Sequence, residues 1–159
     1  MERATSLRAL LALLVATALV GGLLLLGSSR EADARVTKLT ARLRGSADTD
    51  GNGRGRAAVT MDSRRRTVCF NLRWSRIGQP FAAHIHAGRR GQDGPVVVGF
   101  FQAASPEGAV PNYVRGVRGC VPDVPRSLIR DIRQNPRTYY VNVHNARFDG
   151  GAIRGQLRR

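Results

Sequence analysis

Apolar and polar residues alternate with a period of two over most of the chain after residue 35, with turn-forming residues between the runs, which predicts short strands. Leu39, Ala41 and Leu43 interleave with Lys38, Thr40 and Arg42 in a first half-buried strand. DTDGNGRG is a loop, and Ala57, Val59 and Met61 mark a second strand. After a turn at Asp62-Ser63, Val68, Phe70, Leu72 and Trp74 share one face of a third. Phe81, Ala83, Ile85 and Ala87 mark a fourth, and GRRGQDG turns the chain. Pro95 to Phe101 is an unbroken apolar run of the kind that suits a buried strand. The pattern is then lost from Gln102 to Pro122, which reads as a long loop containing Cys120.

The period changes at residues 125–134. Leu128 and Ile129 meet Ile132 at helical spacing, Arg126, Arg130 and Arg133 cover another side, and Pro125 and Pro136 mark the start and stop. Tyr139 to His144 is the penultimate strand, NARFDGG turns, and Ala152 to Leu157 closes the chain. Seven short strands and one helix predict an all-β fold. The expected form is a small antiparallel β-sandwich or barrel, a sandwich being superoxide-dismutase-like or immunoglobulin-like, with one short helix before the penultimate strand.

Residues 1–34 stand apart from this pattern. Arg3 and Arg8 precede an uncharged stretch over residues 9–29, and Ala32-Asp33-Ala34 supplies a cleavage signal. The apolar stretch approaches membrane-spanning length, so it is expected to act as a signal peptide or an N-terminal membrane anchor. Either role places the remainder outside the cytoplasm. The chain carries 26 basic and 11 acidic side chains, a formal charge of +15. Residues 1–34 contain three of each sign, so the whole excess belongs to the part after them.

Export changes the reading of the two cysteines, Cys69 and Cys120. A disulfide between them is expected, the alternative being two reduced thiols. Closing a loop of that length would restrict the unfolded chain by about 4 kcal/mol.

Candidate chemistry is sparse. Asp48, Asp50, Asn52 and Gly53 match the opening of a calcium loop, but Val59 stands where its bidentate Glu belongs, and the flanks read as strands. A hairpin loop is the better reading. No nucleophile elbow, dinucleotide or P-loop glycine pattern occurs, so no enzyme activity is expected. The histidines offer more. His84 and His86 project from one face of a strand opposite Ala83 and Ile85, and His144 points outward opposite Val141 and Val143. If the two strands are neighbours, the three imidazoles converge on one metal; otherwise they hydrogen-bond loop backbone and hold the adjoining turns. Asp93 and Asp149 are candidate outer partners.

Arginine accounts for every basic residue except Lys38. The set is spread along the chain, as on a solvated surface, yet guanidinium also suits a carboxylate or phosphate partner. Arg89, Arg90 and Arg154 are the candidate anion-binding residues beside the histidines. An anionic cell-surface polymer or an extracellular protein is the expected partner. Nucleic acid is not, because the protein is exported and aromatic stacking platforms are few.

Two blocks, AAHIHAGRRGQDGPVVV at residues 82–98 and NPRTYYVNVHNARFDGGAIRGQLR at 135–158, closely resemble the CHRD domain, named after chordin. ARLRGSADTDGNGRG, TVCFNL and GCV add to the match, which spans roughly residues 36–159. Asn145 and Asp149-Gly150 depart slightly from the pattern of bacterial members. The resemblance implies a β-sandwich and a disulfide between the Cys pair. It carries no biochemical activity over to a stand-alone domain, which is expected to be a non-catalytic extracytoplasmic binding or structural module. More faintly, the H-x-H strand followed by V-x-V-H is similar to the copper site of copper–zinc superoxide dismutase. Three histidines are too few for that dinuclear centre, so the alternative is a mononuclear copper or zinc site at His84, His86 and His144.

Overall fold

In a computed structural model, residues 36–45, 49–105, 110–111 and 113–159 are described. The leader and Asp48 of the acidic loop lie outside them. Among the described residues no helix is long and apolar enough to cross a membrane.

Eight strands form one antiparallel sheet: β1 (Val36–Arg44), β2 (Arg54–Asp62), β3 (Thr67–Ser75), β4 (Pro80–Ala87), β5 (Val96–Gln102), β6 (Gly116–Val121), β7 (Tyr139–Asn145) and β8 (Phe148–Gln156). Their order is β5-β4-β7-β8-β1-β2-β3-β6. The sheet rolls until its edge strands β5 and β6 approach each other, giving a nearly barrel-shaped all-β fold. The two layers expected from the alternation are halves of this one sheet. Phe70 of β3 stacks on Phe100 of β5 across the interior, with ring centroids 4.5 Å apart.

The interior is filled by the residues the alternation assigned to it. Leu39, Leu43, Val59, Met61, Val68, Leu72, Ile85, Val141, Val143 and Ile153 are all essentially inaccessible. Helix α1 (Arg126–Gln134) adds Ile129 and Ile132, each burying a side chain worth roughly 2 kcal/mol. The Tyr139 hydroxyl donates to the Asp131 carboxylate, tying this helix to the start of β7. Burial and this bond push the Tyr139 phenol up to about 12.

Three expectations need correction. The stretch read as a loop over 102–122 contains β6, which pairs with β3 from Val68↔Val121 to Arg73↔Gly116. Its two glycines and half-buried apolar residues hide the strand period. The run from Pro95 is an edge strand in which Val98 and Phe100 are buried and Gly99 between them is exposed, while Val96 at its start is 51% exposed. The turn before the last strand is only Ala146-Arg147, because β8 begins at Phe148. Gly151 lies at φ 132°, and a Cβ there would meet the Asn142 side chain at 2.3 Å.

Cys69 and Cys120 sit directly opposite each other on β3 and β6 and form a disulfide.

Candidate metal centre

β4 and β7 are neighbours, the condition the histidine argument required. Their register sets His84 opposite Asn142, His86 opposite Tyr140 and Ala82 opposite His144. Ala83, Ile85, Val141 and Val143 take the core side, so all three imidazoles stand together on the outer face. That face is largely screened from solvent here, with His84 half-buried. His86 is 8% exposed, His144 7% and Asn142 1%, with the β4–β5 loop at Gly94 and the start of β8 at Asp149 set against the rings. Strand alternation found the face but could not show this cover, which comes from the chain folding back at Gly94 and Asp149, eight residues beyond His86 and five beyond His144.

Each imidazole is held by one partner and leaves its other nitrogen for the cluster. His86 Nδ1 donates to the Gly94 carbonyl at 2.9 Å, and its ring stacks on Tyr140 with centroids 4.9 Å apart. The Tyr140 hydroxyl in turn accepts from the Gly94 N–H at 3.3 Å, which fixes the loop. His144 Nδ1 donates to the Asp149 carbonyl at 2.5 Å. His84 hydrogen-bonds the Gln102 side chain and lies with Nδ1 3.2 Å from His144 Nε2. Since His144 donates through Nδ1, its Nε2 accepts, and His84 Nδ1 is the donor between them. His86 Nε2 is buried and has no hydrogen-bond partner, and the same holds for Oδ1 of Asn142 beside His84.

One ring nitrogen from each histidine lies within 4.8 Å of the others. Around a zinc ion bonded at about 2.0–2.1 Å, ligand nitrogens stand about 3.4 Å apart. The His84–His144 separation is close to that value, and the His86 nitrogen lies within 4.8 Å of both. The backbone carbonyls of Gly94 and Asp149 do what outer partners of metal-bound imidazoles do: they fix the tautomer and the ring plane. The candidate carboxylates are placed otherwise. Asp93 pairs with Arg154 at 2.5 Å, and Asp149 contributes its carbonyl.

Burial lowers the His84 imidazole to about 4, with the nearby His144 adding to the effect. Burial also lowers His144, with His86 contributing in the same sense. Both rings are therefore neutral at physiological pH, the form that ligates metal.

The structural role of the histidines is met at the same time, because two of them hold backbone carbonyls, Gly94 in the β4–β5 loop and Asp149 in β8. Of the candidate anion-binding residues, Arg90 and Arg154 line one hollow, while Arg89 lines another with Arg137, Arg158 and Arg159. Arg154 also lies over the Tyr140 ring at 5.5 Å, on the residue that stacks against His86. Sequence reasoning missed Gln102, Tyr140 and Asn142. An H-x-H strand signals its own imidazoles and says nothing of what neighbouring strands set beside them.

Comparison with curated proteins and with solved structures gives no match. The model of the CHRD domain matches residues 39–157, nearly all of the rolled sheet and its helix, and the chain belongs to that family.

Proposed function

We propose that this CHRD domain is a non-catalytic extracytoplasmic module that binds one copper or zinc ion through His84, His86 and His144. One observation carries the reading: His86 Nε2 is buried, unpartnered, and set among ring nitrogens that all lie within 4.8 Å of one another. A buried polar atom without a partner costs about 1–3 kcal/mol, and a metal ion would remove that cost. Three imidazoles form a donor set suited to copper and zinc over magnesium or calcium. The Cys69–Cys120 disulfide is consistent with an oxidising, extracytoplasmic setting.

The second reading is structural, with the imidazoles acting only as braces for the backbone at Gly94 and Asp149. Copper and zinc content of the purified, oxidised protein separates the two. About one equivalent in the wild type, lost in His84→Ala and His144→Ala, supports the metal. Sub-stoichiometric metal that neither substitution changes contradicts it. Turnover of superoxide by the metal-loaded protein would overturn the non-catalytic part of the reading.

A further inference from the structure

The arginines that look scattered in sequence are gathered by strand register. On the outer face, Arg42 of β1, Arg56 of β2 and Arg73 of β3 are direct cross-strand partners, Arg42↔Arg56 and Arg56↔Arg73. Two residues along the strands, Arg154 of β8, Arg44 of β1 and Arg54 of β2 form a parallel row, Arg154↔Arg44 and Arg44↔Arg54. Adjacent strands stand about 4.8 Å apart, so each row packs three guanidinium-bearing side chains across roughly 10 Å. Like charges directly opposite one another weaken a sheet. Among the described residues, the only ion pair to any of the six is Asp93 on Arg154. A face that accepts this repulsion with so little internal compensation is matched to an external anion.

Its shape narrows the occupant. Three shallow hollows of about 500, 350 and 380 Å³ run across the strands. Arg42 lines the first and second, and Asn71 and Arg73 line the second and third. The three hollows therefore adjoin one another, the first lined by Arg154 of β8 and the third by Arg118 of β6. A trough fits a linear chain better than a flat bilayer. None of its lining residues is aromatic, so it lacks the stacking platforms that nucleobases and sugar rings use. Guanidinium groups bind phosphate in bidentate fashion.

We propose that this arginine trough binds a linear phosphate polymer, laid across β8, β1, β2 and β3 at right angles to the strands. The site is distinct from the three histidines and does not depend on the metal reading. The test uses the purified protein, disulfide intact and treated with chelator, with long-chain inorganic polyphosphate as the probe at physiological salt. Polyphosphate is expected to bind, with orthophosphate far weaker. The variant Arg42→Gln/Arg56→Gln/Arg73→Gln should weaken binding about 30-fold, a few-fold per exposed contact, and reduce the salt slope by about one per arginine. The control Arg64→Gln/Arg65→Gln/Arg130→Gln, which removes equal charge elsewhere, should change affinity less than about threefold on the same basis. Thermal melts of both variants confirm that they fold. Equal losses in the two variants would reduce the effect to net charge and overturn the site. Tighter binding of heparin, single-stranded DNA or phosphatidylglycerol vesicles than of polyphosphate at matched charge would overturn the occupant.

Discussion

Replacing Arg56 with Thr should stabilise the protein, contrary to the usual outcome of a substitution in a central strand. Arg56 lies between Arg42 and Arg73 in direct register, with exposed side chains on all three. At a separation of roughly 7 Å, two unit charges in water repel by about 0.6 kcal/mol before screening. Physiological salt, with a Debye length of about 8 Å, reduces that to about 0.3 kcal/mol per neighbour. Two neighbours, with smaller diagonal terms, give roughly 0.5–1 kcal/mol, and Thr adds its own preference for an exposed strand position. For a domain of this size the melting temperature should rise by about 2–5 °C. The assay is a pair of thermal melts at low salt and at 1 M NaCl, where the Debye length falls to about 3 Å and the difference between wild type and variant should shrink. A variant less stable than wild type at low salt would refute the like-charge ladder, and so would a gain that salt leaves unchanged.

Other consequences are as direct. Removing the disulfide by Cys69→Ser/Cys120→Ser releases a 51-residue separation and should cost about 4 kcal/mol, read as a fall in the denaturation midpoint. Gly155→Ala should be strongly destabilising, because its Cβ would lie 2.0 Å from the Arg42 carbonyl oxygen where β8 closes on β1; a melt unchanged within about 0.5 kcal/mol would contradict that contact. His84 is neutral in the fold down to about pH 4, whereas an unfolded imidazole takes up a proton near 6.5. Protons then favour the unfolded chain, so the metal-free protein should lose stability as pH falls from about 6.5 towards 4, and His84→Phe should flatten that profile.

Much of the fold was legible because one face of nearly every strand is buried. The alternation of Leu39, Ala41 and Leu43, and of Val68, Phe70, Leu72 and Trp74, reports the inner face directly. β6 escaped because Gly116 and Gly119 interrupt its pattern and it lies at the sheet edge. The closure of eight strands into one sheet also could not be read, since pairing between β1 and β8 joins residues 110 positions apart at Arg44↔Arg154. The histidine face followed from period two alone, but its burial depended on Gly94 and Asp149 folding back. Arginines dispersed along the chain become rows only through strand register, which composition does not contain.

The central claim is that three imidazoles hold one ion, and X-ray absorption at the metal edge tests it most directly. Protein loaded with one equivalent of copper or zinc should show three imidazole nitrogens at about 2.0–2.1 Å, with one nitrogen fewer in His86→Ala. A spectrum of hydrated ion with oxygen ligands only, or one that His86→Ala leaves unaltered, would contradict the account.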